Sequence, residues 1–268
     1  MNENNDRYSW DAADYSKNSS NQYEWAKEII PKLSLNGTES LLDIGCGDGK
    51  VTSLISTYLP YGDVVGVDSS HDMIVQARRS YPQLRYPNLT FLKMDARELT
   101  FDGRFDVVFS NATLHWIIEH QLVLKGVYQS LDKNGRIYFQ MAGKGNAQDV
   151  LDVLQEMISE ESCKPYFKNF TFPYGFYGTE QYTKWLNEAG FRPDRVELIP
   201  KDAKFIGKDG LAGWIRTTWL PFTEKFPESL LDSLINEIAE RYIEAYPPDN
   251  KGIIHVKMVR LEVQATKI

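Results

Sequence analysis

From residue 40 to about 141, short apolar runs alternate with amphipathic stretches. The runs are Leu41 to Gly45, Val64 to Asp68, Leu89 to Lys93, Phe105 to Ser110 and Arg136 to Met141. Between them, segments at about 50 to 58, 71 to 80 and 119 to 130 place apolar residues at helical spacing. Strand alternating with helix predicts a doubly wound parallel sheet, and strands that are nearly all apolar fit a sheet covered on both faces.

After the turn signal Asp132-Lys-Asn-Gly135 and the fifth run, the rhythm changes. Residues 143 to 178 continue as an amphipathic helix through Val150, Val153, Leu154 and Met157, then pass into PYFKNFTFPYGFYG, too rich in aromatics, Pro and Gly for a helix interior. A helix at 179 to 189 stops at Gly190, and 194 to 206 alternates as a strand. Residues 208 to 246 are helical in spacing until Pro247-Pro248, and Ile253 to Thr266 alternates with period two. The expected organisation is a lead-in helix and cofactor-type core at 1–142, two helical, aromatic insertions at 143–178 and 207–250, and the rest of the sheet at 179–206 and 251–268. Insertions leaving the same sheet edge would meet as a lid.

Composition narrows the function classes. The 268 residues carry 30 Lys+Arg against 37 Asp+Glu, a formal net charge of −7. With no basic block, a chain that mainly holds nucleic-acid phosphates or anionic lipid is disfavoured. No apolar run approaches the roughly 18 residues of a membrane span, and the N-terminus has no signal-peptide pattern, so a cytoplasmic protein is expected. Two cysteines, Cys46 and Cys163, cannot build a disulfide framework or a cysteine-rich metal site, and no metal is expected.

The informative segment is Leu41-Leu-Asp-Ile-Gly-Cys-Gly-Asp-Gly-Lys50. An apolar strand ending in Gly45-x-Gly47-x-Gly49 and leading into a helix lets backbone approach a ligand. The spacing differs from the dinucleotide Gly-x-Gly-x-x-Gly, and the Lys-Ser/Thr of a P-loop is missing. Carboxylates then recur at strand ends. Asp43 precedes the loop, Asp68 closes the second run where it can take a ribose diol, and Asp95 beside Ala96 follows the third, within reach of a base amino group. Together they describe an adenosine ligand lying across the sheet edge.

LLDIGCGDGK, VVGVDSSHDMI, MDA and FDVVFSNATLHW resemble the successive motifs of class I S-adenosylmethionine-dependent methyltransferases, specifically the branch of trans-aconitate and juvenile hormone acid methyltransferases. FPYGFYGTEQYTKWLNEAGF and LAGWIRTTWLPF extend the likeness over nearly the whole chain. The resemblance implies a Rossmann-like seven-stranded α/β sheet with a helical cap, and S-adenosylmethionine as cofactor. It further implies that Gly45, Cys46 and Gly47 line the methionine moiety, that Asp68 binds the ribose, Met73 packs near adenine, Asp95 and Ala96 hold the adenine edge, and Asn111 borders the sulfonium. Gln22, in a comparable lead-in helix, would meet a substrate carboxyl.

A carboxylate acceptor is already ionised at neutral pH and needs no general base; a phenol or amine does, and His115 is then the candidate. His115 as an orienting group and His115 as a base both stand at this point, with Trp116 as a wall of the acceptor pocket. Arg216 and Lys144 are candidates to meet an acceptor carboxylate. The leading expectation is O-methylation of a small carboxylic acid, either trans-aconitate-like or isoprenoid- or fatty-acid-like, by a monomer. The alternatives are N- or phenol O-methylation through His115, and a non-catalytic cofactor-binding regulator.

Overall fold

The computed structural model describes the chain from residue 20 onward, with side chains from Trp25. The start of the expected lead-in stretch, residues 1–19, and the side chain of Gln22 lie outside the described residues.

Seven strands form one sheet: β1 (Ser40–Ile44), β2 (Asp63–Asp68), β3 (Leu89–Lys93), β4 (Phe105–Asn111), β5 (Leu131–Ala142), β6 (Phe191–Ile206) and β7 (Ile253–Lys267). Their spatial order is β3-β2-β1-β4-β5-β7-β6. β1 to β5 pair in parallel, whereas β7 runs antiparallel to both β5 and β6, so the sheet is mixed at one edge rather than parallel throughout. The helices are α1 (Ser20–Ile29), α2 (Lys50–Ser56), α3 (His71–Ser80), α4 (His120–Ser130), α5 (Gln148–Ser159), α6 (Thr179–Glu188), α7 (Gly207–Thr218), α8 (Leu220–Thr223) and α9 (Glu228–Ala245).

Neighbouring β1 residues show why the strands are apolar on both faces. Leu41 packs with Ile29, Ile55 and Phe109 under α1 and α2, while Leu42 packs with Val123 and Val127 of α4 on the opposite face. Strand order reverses between β1 and β4, so the turns after Ile44 and after Asn111 open side by side at the carboxyl ends of the strands. In open α/β sheets this is where ligands lodge.

The two stretches between β5 and α6 and between β6 and β7 share a third core. Val150, Leu154 and Met157 of α5 meet Trp214 of α7, Phe222 of α8, and Ile235, Ile238 and Tyr242 of α9, over Ile254, Val256 and Met258 of β7. The helical stretch expected at 208–246 is three helices, because Pro221 and Pro227 stand where α8 and α9 begin and cannot supply the amide an unbroken helix needs. β5 begins five residues before the expected run: Leu131 pairs with Phe105, and an irregular step then carries the turn-like Asp132-Lys-Asn-Gly135 inside the strand.

Candidate active site

The first glycine loop is held by its neighbours, leaving one side open. The amides of Gly45 and Cys46 both donate to the Val67 carbonyl, at 2.7 and 3.0 Å. Gly45 has φ +74°, and a Cβ there would lie 2.1 Å from the Thr113 side chain, which arrives from the turn after β4. Glycine is therefore required twice over, by conformation and by space. At Gly47, φ +54°, no atom lies within 4 Å of a Cβ position, so its backbone faces an opening.

Asp68, at the end of β2, ties this loop to the next. One carboxylate oxygen accepts from the Gly47 amide at 3.0 Å, the other from the Ser70 amide at 2.9 Å. Ser70 in turn caps α3 by accepting from the Met73 amide. Gly45, Gly47, Asp68, Met73, Ala112 and Trp116 line one cleft at this edge, with about 500 Å³ of space including its open side.

The other expected site residues sit around the cleft in different states. Asp43 is buried beneath the loop, accepts from the Thr52 hydroxyl at 2.7 Å, and is pushed up to about 7 by burial and then by the nearby Asp68 charge. It braces the loop from below rather than lining the cleft. Cys46 is buried too, and burial, then the Asp68 and Asp43 charges, push its thiol up, so it remains a thiol. Asp95 caps the turn at Ala96–Glu98 and grips Arg97 through both oxygens, the shorter contact 2.6 Å. Burial alone would raise its pKa, but the Arg97 hydrogen bonds outweigh it and hold the carboxyl low. Ala96 is buried beside it. Asn111 closes β4, and the following Ala112 takes φ +55° with its amide donating to the Gln140 carbonyl.

A second cavity lies on the far side of Ala112 and Trp116, which line both. Its walls include His115, Tyr174, Phe176, Trp214, Trp219 and Arg260. Trp116 meets Tyr174 edge-on at 5.1 Å between ring centres, and Tyr174 stacks on Phe176 at 5.2 Å. Tyr174 and Phe176 of the aromatic stretch and Trp214 to Trp219 at the end of α7 thus converge on one space.

His115 is 7% exposed. Burial, followed by the Arg260 and His120 charges, holds its pKa well below the usual histidine range, so the ring is neutral. Its Nδ1 accepts from the Ala142 amide at 3.4 Å. The one ring proton therefore sits on Nε2, and the imidazole offers an N–H donor.

Neither Lys144 nor Arg216 lines the cavity; Lys144 is exposed and Arg216 half-buried. The cation that does is Arg260 of β7, which the sequence reading missed. A signal was available: Ile254, Val256, Met258, Arg260 and Glu262 occupy the same alternating positions of β7, and all are buried. A charged residue in an apolar register is costly to bury and stands out against its neighbours. Glu262 is paired, with Lys32, Arg195, the Tyr138 hydroxyl and Gln140. Arg260 lays its guanidinium 4.2 Å over the Trp25 ring and faces the cavity.

A family model described as a methyltransferase domain matches residues 35–190, over half the chain. The chain belongs to the class I S-adenosylmethionine-dependent methyltransferases. An uncharacterized methyltransferase of Schizosaccharomyces pombe is 33% identical over 82% of this chain and 84% of its own length. Trans-aconitate 2-methyltransferase of Enterobacter sp. strain 638 is 26% identical over 94% of this chain and 96% of its own length. Among solved structures, Haemonchus contortus phosphoethanolamine N-methyltransferase 2, determined with S-adenosyl-L-methionine, has a similar fold: TM-score 0.60, 20% identity, covering 96% of this chain and 56% of that one. Among the described residues of this methyltransferase, no group of three or more His, Cys, Asp or Glu is placed to hold a metal, and no helix is long and apolar enough to cross a membrane.

Proposed function

We propose that this methyltransferase esterifies the carboxylate of a small organic acid, with the methyl donor in the cleft at Gly47 and the acid in the cavity behind Trp116. The observation that carries the reading is the His115 ring: its one free position bears a proton, so it can donate to an acceptor oxygen but cannot take a proton from a phenol or an amine. A carboxylate is the acceptor class that asks for nothing more.

The residues of the cleft fit S-adenosylmethionine. Gly47 leaves room for close approach, Asp68 stands where a ribose diol would accept company, and Met73 offers an apolar surface to the adenine, with Asp95 and Ala96 at its edge. Gly45, Cys46 and Asn111 would flank the methionine end. When bound, this cofactor supplies an electrophilic methyl group on a positively charged sulfur. The protein's own contribution is alignment and exclusion of water: Trp116 and Ala112 border both spaces, and the aromatic walls leave the acceptor oxygen few other directions to point. Positioning of this kind is worth effective molarities of about 10⁵ M or more. Gln22 keeps its proposed contact with the acid. The two stretches at 143–178 and 207–250 act as a cap, and the protein works as a cytoplasmic monomer.

Incubation with methyl-labelled S-adenosylmethionine and a panel of acids, phenols and amines tests this. The expected product loses its label as methanol on mild alkaline treatment, as an ester does. Label that survives alkali would mean an ether or an amine and would overturn the reading. Cofactor binding with no transfer to any acceptor would favour a regulatory binder.

A further inference from the structure

We infer that Asn146 binds the acid: from the wall of the cavity behind Trp116 its side-chain amide N–H donates to one carboxylate oxygen and leaves the other to the methyl group. The inference rests on the carboxylate reading above and adds to it a residue that holds the acceptor.

Asn146 stands where the chain leaves β5. That strand pairs with β7 as far as Ala142 opposite Arg260, and the Gly143 amide then donates to the Val259 carbonyl at 3.0 Å. A side chain makes the next rung: Oδ1 of Asn146 accepts from the Val259 amide at 3.1 Å. A backbone N–H can only donate, so this bond settles which end of the carboxamide is which and turns Nδ2 the other way.

The turn that presents Asn146 is fixed from both sides. Gly145 before it has φ +84° and Ala147 after it φ +50°. The Asn146 amide donates to the Gly143 carbonyl at 3.0 Å, and the Lys144 amide to the Tyr177 carbonyl at 3.0 Å. A left-handed alanine persists only where its surroundings over-determine it, and Ala147 is fully buried.

The observation that points to a ligand is Nδ2 itself. Asn146 is 4% exposed and lines the cavity. Among the described residues Nδ2 has no acceptor, yet protein does not enclose it; its open side is the cavity. A buried carboxamide with its oxygen satisfied and its N–H groups unused calls for an acceptor, and an oxygen of the acid supplies one. His115, whose Nε2 carries the ring proton, lines the same space. Two uncharged donors thus reach the cavity from two different turns, one after β4 and one after β5.

An uncharged donor suits this chemistry. The free carboxylate oxygen forms the new C–O bond as the C–S bond breaks onto sulfur; no proton moves, and the negative charge of the acid disappears. A cation paired with that charge holds the acid more tightly than the transition state, whereas an amide N–H bonds the carboxylate oxygen and the ester carbonyl alike.

The test compares the wild type, Asn146→Asp and Asn146→Ala by ester formation from S-adenosylmethionine, with trans-aconitate, hydrocinnamate and octanoate as acids. Titration with S-adenosylhomocysteine and urea unfolding accompany it. Asn146→Asp keeps an oxygen for the Val259 amide and removes the N–H donors, so it separates binding of the acid from the rung to β7. For the acid that the wild type esterifies best, Asn146→Asp should raise KM about 10- to 100-fold while kcat stays within about 3-fold. Its S-adenosylhomocysteine affinity and urea midpoint should match the wild type. Asn146→Ala gives up the Val259 bond too, so it should lose stability and still raise KM about 10-fold with S-adenosylhomocysteine affinity intact. Should Asn146→Asp fail to fold, that split in Asn146→Ala decides. An unchanged KM in the folded variants, or equal losses for acid and S-adenosylhomocysteine, would overturn the inference and leave carboxylate methylation standing. Esterification of none of the three acids would overturn it as well. Label found only in a phenol or an amine would instead remove carboxylate methylation itself.

Discussion

The cleft proposed for the donor and the cavity proposed for the acceptor share Ala112 and Trp116 yet are built in opposite ways. The cleft is made from backbone: two turns at the switch between β1 and β4, glycines with positive φ, and one carboxylate bridging the amides of Gly47 and Ser70. The cavity is made from side chains that reach it from the turn after β4, the aromatic stretch before α6, the helix α7 and the Trp219 that follows it, and β7. A backbone site is encoded locally and specifies a cofactor. A side-chain site is encoded between Ala112 and Arg260 and, as proposed, specifies an acceptor.

The largest expected effect comes from the cap core. Ile238 is buried among the aromatics and aliphatics of α5, α7 and β7. Ile238→Ala should cost about 2–5 kcal/mol of stability by urea unfolding. If cleft and cavity are built separately, S-adenosylhomocysteine affinity, measured where the variant is folded, should barely change while acid binding weakens. Equal losses of both would erase the distinction.

Gly45→Ala should act in the reverse sense. A positive φ costs an alanine about 1 kcal/mol, and overlap with Thr113 adds roughly 1–3 kcal/mol. Titration with S-adenosylhomocysteine should show donor binding falling sharply. Gly47→Ala, with the same sign of φ but open space ahead, should lose less stability; a Gly47 variant as unstable as the Gly45 one would mean the overlap is unimportant.

A smaller effect is carried by pH. Asp43 titrates at about 7 in the folded chain because burial, and then the Asp68 charge, disfavour its ionised form; an unfolded Asp titrates near about 3.9. A raised folded value means that its contribution to stability is complete below the unfolded pKa and is lost as pH rises through the folded one. Between about pH 4 and about pH 8 the wild type should therefore lose more stability than Asp43→Asn, read as the shift in urea midpoint. Parallel curves would mean Asp43 is ionised in the fold.

The sequence carried much of the fold because the first five strands are covered on both faces and so read as bare apolar runs. The beginning of β5 was hidden by Asp132-Lys-Asn-Gly135, which has turn chemistry but lies inside the strand, after the irregular step that follows Phe105. The reversed direction of β7 was also illegible, since alternation gives a strand its faces but not its polarity. In the site, the cleft residues Gly45, Gly47, Asp68 and Met73 were readable from spacing and resemblance, because local backbone chemistry fixes them. Asp95 could be placed but not its grip on Arg97, two residues on. Arg260 was passed over because its meaning depends on what β7 packs against. Lys144 and Arg216 read as candidates for the acceptor in the string of letters, but neither lines the cavity.

The central claim is that the acid arrives ionised and that His115 donates a hydrogen bond rather than accepting a proton. Turnover of the His115→Gln variant on an acid that the wild type esterifies tests it most directly, since glutamine keeps an N–H donor and has no basic nitrogen. The account predicts that kcat stays within about 10-fold of the wild type, a single hydrogen bond's worth. A fall of about 10²-fold or more, with donor affinity intact, would make His115 a general base and contradict it.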